Sequence, residues 1–137
     1  MALESLRLST TLSASPERIY KAWLSGEEHT AMTGGQATAS TRVGGKFTAW
    51  DGYIHGVNLA LEPYQRILQS WRTTEFAGDA ADSKLEVRLA AVKGGTRLTL
   101  VHTEIPAGLG KSYKEGWPEH YFTPMKEYFS SNQKQVG

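Results

Sequence analysis

The chain has 137 residues, 39% apolar and 21% charged, with a net charge of +1, which bounds it to one water-compatible domain with a sizeable core. Scattered basic residues argue against a nucleic-acid groove or an anionic membrane surface, and the lack of cysteine removes disulfides and thiolate metal sites and fits a reducing compartment. The opening residues MALESLRLS carry Glu4 and Arg7 without a signal-like apolar stretch, and no apolar run reaches a membrane span, so the expected location is cytoplasmic.

Leu6, Leu8, Thr10 and Leu12 alternate with polar residues, the pattern of a half-buried strand. Ser15, Pro16 and Glu17 then read as N-cap, first helical position and acidic first turn. Ile19, Tyr20, Trp23 and Leu24 give that helix an apolar face. Ser25 with Glu28 three residues on reads as a capping box for a second short helix, which Gly34-Gly35 should end.

From Gln36 the period changes to two. Gln36–Ser40 reads as a weak strand, Gly44-Gly45 as a turn and Lys46–Trp50 as a strand. Asp51-Gly52 is a hairpin signal. Tyr53–Leu61 reads as a long strand with Val57, Leu59 and Leu61 on one face, stopped by Pro63. Arg66–Arg72 follows, with Ile67 and Trp71 on one face. Thr73–Asp82 is polar and small, and is expected to be the longest loop and mobile. Leu85, Val87, Leu89 and Ala91 alternate, Lys93-Gly94-Gly95 turns the chain, and Leu98, Leu100 and His102 alternate back.

Pro106–Gly110 leads into the stretch that organises the rest, Gly110–Ser131. On a helix, Tyr113, Trp117, Tyr121, Pro124 and Tyr128 form one stripe, extended by Pro118, Phe122, Met125 and Phe129. Glu115, Glu119, Thr123, Lys126, Glu127 and Ser130 take the other side. An apolar arc this wide and aromatic requires a concave partner such as a curved sheet. Pro118 either opens the helix or bends it, and Pro124 should kink it. Taken together, the pattern predicts an α+β fold. A curved antiparallel sheet wraps a long C-terminal helix, two short helices follow the first strand, and a cavity can form between sheet and helix.

Sequence chemistry points to binding. Gly108-Leu109-Gly110-Lys111-Ser112 lacks the upstream glycine of a phosphate loop, since Ile105 holds that place. His29, His55, His102 and His120 have no partners at metal-site spacing, so no metal or cofactor is expected. No serine sits in a nucleophile elbow, and there is no cysteine nucleophile. Asp51, His55 and Glu104 could approach one another, although Asp51 better serves the turn. His102 continues an inward-facing row and could orient a ligand. Gly52 and Gly56 either make room for a ligand or sharpen the sheet. The candidate cavity residues are Trp71, His102, Trp117 and Tyr121.

An ordered set of short matches spans nearly the whole chain. It comprises Ser15-Pro16-Glu17 with Tyr20, Gly44-Gly45-Lys46-Phe47, Asp51-Gly52, Gly56, Trp71-Arg72, Gly95-Thr96 with Leu98, Ile105-Pro106, and Gly116-Trp117 before Tyr121-Phe122. By these the chain resembles the helix-grip START-like superfamily. Within it, the chain is similar to the C-terminal domain of activators of the heat-shock-protein-90 ATPase. The resemblance implies a seven-stranded sheet with two short helices and the long helix. It also implies action by binding, with a heat-shock-protein-90 type chaperone as the expected partner. Eukaryotic activators of this kind carry a further N-terminal domain, whereas this sequence reads as a stand-alone domain. An apolar small molecule in the cavity is the alternative occupant, and a cyclase or hydrolase of the same superfamily is the third reading.

Overall fold

Alternating apolar residues become strands where the pattern is cleanest. In the computed structural model, which describes the backbone of residues 3–136 and side chains as far as Ser130, β1 (Glu4–Leu12) buries Leu6 and Leu12. The later strands are β2 (Lys46–Ala49), β3 (Ile54–Glu62), β4 (Arg66–Thr73), β5 (Ser83–Val92) and β6 (Gly95–Ile105). They form one antiparallel sheet in the order β1-β6-β5-β4-β3-β2.

The sheet has six strands, where the resemblance implied seven. Gln36–Ser40 makes only a single bridge, between Thr38 and Thr48. Its neighbouring amides are taken by side chains instead: Gln36 N–H donates to Asp51 at 3.2 Å and Ala37 N–H to Thr30 at 2.9 Å. β3 differs as well. Asn58 is buried on the same face as Ile54 and Leu59 is exposed, and the pairing with β4 then shifts between Asn58 and Ala60. Such a bulge moves the following side chains to the other face. Asn58 sits in a buried polar relay. Trp23 Nε1 donates to Gln69 at 3.3 Å, Gln69 donates to Asn58 at 2.9 Å, and Asn58 donates to the Ser40 and Arg42 carbonyls at 2.9 Å each.

The helix signals after β1 hold. In α1 (Pro16–Trp23) the Ser15 hydroxyl accepts from Arg18 N–H, and in α2 (Gly26–Thr33) the Ser25 hydroxyl accepts from Glu28 N–H. Only half of the expected capping box forms. The Glu28 carboxylate pairs with Arg18 and accepts from the Tyr128 hydroxyl instead of turning back. Gly34 ends α2 in the left-handed conformation that only glycine adopts cheaply.

The loop after β4 is tied to the core. Phe76 is buried against Trp71 and Tyr113, and Arg72 holds the Ala77 and Ala80 carbonyls and Asp82. The longest connection is 34–45, not this one.

The long helix begins at Gly110, as one of the two readings of Pro118 required. It runs as α3 (Gly110–Trp117), a π turn (Pro118–Phe122) and α4 (Thr123–Val136). The disturbance expected at Pro118 and Pro124 takes the form of that π turn, in which Thr123 N–H donates to the Pro118 carbonyl. A wider turn relieves the pressure of a proline ring on the turn before it. It also brings two rows inward, Tyr113, Trp117 and Tyr121, then Phe122, Met125 and Phe129. Opposite them lie Ile67, Leu85, Val87, Leu98 and Leu100 of the sheet, all at most 1% exposed. The side chain of Ser131, the last residue of the aromatic stretch, lies outside the described residues.

One cap joins distant parts of the chain. No side chain within the loop caps α3; the Glu4 carboxylate of β1 accepts from Gly110 N–H at 2.8 Å and from Gly108 N–H at 3.1 Å. The glycine-rich segment that resembled a phosphate loop thus holds an internal carboxylate. These two bonds hold the Glu4 pKa below its usual value. Glu4→Gln should lower the thermal midpoint at neutral pH. Because a depressed carboxylate stabilises only while ionised, the gap to wild type should close as pH falls below about 4.5. Melting curves of both proteins across that range check it, and a gap that ignores pH would leave the cap without an electrostatic role.

Candidate functional site

The helix and the sheet part along one flank of the aromatic stripe, leaving an open cleft of about 490 Å³. Trp71 of β4 and Tyr113, Trp117 and Tyr121 of the helix form its floor, while Trp50 and Tyr53 of the β2–β3 turn form its outer wall. Polar groups at its rim are Ser112, Glu115, Glu119 and His120.

The β2–β3 turn places the outer wall. Trp50, Asp51 and Gly52 all have positive φ, at 52, 61 and 89 degrees. The turn is therefore longer than the two-residue hairpin that Asp51-Gly52 suggested: Ala49 pairs with Ile54, and Tyr53 N–H donates to the Trp50 carbonyl. Asp51 pins the turn to Gln36 through its carboxylate and its amide. The Trp50 ring lies edge-on to His120, and its Nε1 is buried with no hydrogen-bond partner among the described residues. Gly35 permits this placement, since a Cβ there would meet the Trp50 ring at 2.5 Å.

The four residues expected to line a cavity do come together. Trp71 lies 4.5 Å from His102 and 5.5 Å from Trp117, ring centre to ring centre, and Trp117 lies 4.9 Å from Tyr121. Trp71, Trp117 and Tyr121 line the cleft; His102 stands one layer behind it, fully buried. Its bonds fix its state. The Trp117 indole can only donate, so His102 Nδ1 accepts from it at 3.2 Å. Nε2 then carries the proton and donates to Ser83 at 2.8 Å, and Ser83 donates to the Trp71 carbonyl at 2.6 Å. Burial pushes the His102 pKa down to about 3, so the ring is neutral. With one nitrogen accepting and the other donating inside the core, it offers the cleft neither a proton nor a lone pair.

The Tyr121 hydroxyl also turns away from the cleft, donating to His29 Nε2 at 2.8 Å, while His29 Nδ1 donates to the Trp23 carbonyl at 2.9 Å. Burial lowers the His29 pKa and raises that of Tyr121. The polar groups of His102 and Tyr121 thus serve the core. The polar groups that do reach the cleft include Glu115 and Glu119, which the helical stripe had assigned to the opposite side.

The other candidates separate. Asp51 serves its turn, His55 is exposed on β3, and Glu104, itself at positive φ where the β1–β6 pairing shifts, pairs with Lys84 at 3.0 Å. The two singled-out glycines open no space. Gly52 is a turn residue at positive φ, and a Cβ on Gly56 would lie 1.9 Å from the Ser70 carbonyl oxygen, a close approach of backbones. Among the described residues, no group of three or more metal-binding side chains occurs, and no helix is long and apolar enough to cross a membrane.

A six-stranded antiparallel sheet gripping a long helix, with an aromatic cleft where the two part, defines a helix-grip domain of the START-like superfamily. The chain belongs to the family described as Activator of Hsp90 ATPase homolog 1-like protein, whose model matches residues 13–130. It is 28% identical over 132 residues to a Dictyostelium discoideum protein named Activator of 90 kDa heat shock protein ATPase homolog, covering 96% of this chain and 34% of the relative. A human relative, Activator of 90 kDa heat shock protein ATPase homolog 1, is 28% identical over 124 residues, covering 90% of this chain and 36% of the relative. The chain thus spans little more than a third of either relative's length. In fold it is similar to a crystal structure described as an HSP90 activator from Plasmodium falciparum, with a TM-score of 0.84, 24% identity, and coverage of 92% of this chain and 96% of that one.

Proposed function

We propose that this domain acts by binding without transforming its ligand, and that the aromatic cleft holds a small molecule with an apolar body. The observation that carries the reading is the cleft itself: about 490 Å³, open to solvent and walled by aromatic rings. That is the size and chemistry of a small-molecule site. Affinity should be modest, because ring faces offer area but few orienting hydrogen bonds.

The test is titration with Nile red, a neutral apolar dye. Its emission should rise and shift to the blue on binding, and tryptophan emission should change with it. Trp117→Leu should weaken both signals. Tyr53→Ala, on the half-exposed outer wall, should weaken them with the core intact. A second reading follows from the family and its named relatives: the domain docks on a heat-shock-protein-90 type chaperone. Dye emission that stays unchanged at saturation, with faster ATP turnover by the host's own chaperone when this domain is added, would put the second reading in place of the first.

A further inference from the structure

We propose that the cleft selects an organic cation, an ammonium group on an apolar body. The proposal rests on the cleft being the binding site and names the ligand class it takes. Trp50, Tyr53, Trp71, Tyr113, Trp117 and Tyr121 surround the space, and the charged residues among its described lining are Glu115 and Glu119, with no Lys or Arg. A third carboxylate, Glu75, accepts from the Tyr53 hydroxyl just outside the lining. The chain as a whole carries a net charge of +1, so this acidity is local.

The charges of α3 and the π turn that border the two depressions differ in sign. Lys111 and Lys114 border the depression around Glu4, on the other flank. Arg72, on the strand that supplies Trp71, is turned to Asp82 and the loop carbonyls. An aromatic face is the negative end of the ring quadrupole and attracts a cation held over it. Carboxylates at the rim add to that attraction and repel an anion. The breadth of the cleft and the absence of a three-ligand cluster among the described residues favour a bulky organic cation over a bare metal ion.

The test compares three probes of similar body by calorimetry at low salt: benzyltriethylammonium, benzyl alcohol and phenylacetate. The cation should bind roughly tenfold tighter than the alcohol, with the anion weakest. The double substitution Glu115→Gln with Glu119→Gln, at exposed positions, should shrink the cation's advantage to about twofold and leave the alcohol unchanged. Equal or reversed affinities would overturn the cation assignment while Nile red binding keeps the cleft as the site, and a tenfold advantage left undiminished by the double substitution would overturn the part given to the carboxylates. Failure of all three probes and of Nile red would remove both.

Discussion

Trp117→Ala should cost the fold about 3–5 kcal/mol, the usual loss for a large aromatic removed from a core. Trp117 is 4% exposed and stands where α3 meets the π turn, against Trp71, His102 and Tyr121. Its removal opens a void between helix and sheet and leaves His102 Nδ1 with no donor. Trp117→Phe separates the two effects, because it keeps much of the ring and loses the hydrogen bond, which should cost about 1–3 kcal/mol. Urea denaturation of the three proteins measures both. A loss below about 1 kcal/mol for the alanine variant would mean that the helix is not held by this face.

Stability should also fall as the pH drops from neutral toward about 5. His29 and His102 are both held neutral by burial, with pKa values pushed below the ordinary 6.5. The unfolded chain binds protons on these rings near 6.5 and the folded chain does not, so their contribution is complete above that pH and is lost below it. For His102 the slope approaches about 1.4 kcal/mol per pH unit, which amounts to about 2 kcal/mol by pH 5, and His29 adds to the loss in the same direction. Glu28 and Glu86, whose pKa values are lowered, add to the loss only below their ordinary value of 4.5. Denaturation at steps of half a pH unit should give a falling line for the wild type and a shallower one for His102→Gln. A wild-type line that stays level from pH 7 to 5 would show that the folded protein accepts these protons.

Much of this architecture was legible because it rests on local chemistry. Ser15-Pro16-Glu17 starts a helix through its own side chains, and β5 and β6 alternate over 83–89 and 96–102. The stripe of Gly110–Ser131 identified Trp117 and Tyr121, and alternation on β4 identified Trp71. The remainder depends on partners distant in sequence. Glu4 gives no local sign that it caps α3. His29 carries no metal-like spacing, yet it anchors Tyr121 from α2. Trp50 looked like the end of a strand; three consecutive positive φ angles turned it into a wall of the cleft, and only Gly52 announced them. Glu115 and Glu119 were assigned to solvent because a stripe has two sides, whereas the cleft opens at the stripe's edge. The bulge in β3 was hidden because Asn58, a polar residue, took the buried place through bonds to carbonyls of the 40s loop.

The placement of β1 has a consequence for synthesis. Among the described residues it forms one border of the sheet and pairs with β6 alone, and the Glu4–Gly110 bond joins residues 106 positions apart. On a ribosome, β1 emerges early and must wait for nearly the whole domain before its partner exists. During that wait its Leu6 and Leu12 are uncovered and its backbone can pair with foreign strands. Contacts so distant in sequence also close late in folding. The nascent domain therefore has a long window of vulnerability, and that window ends when the strand made first docks against the strand made last.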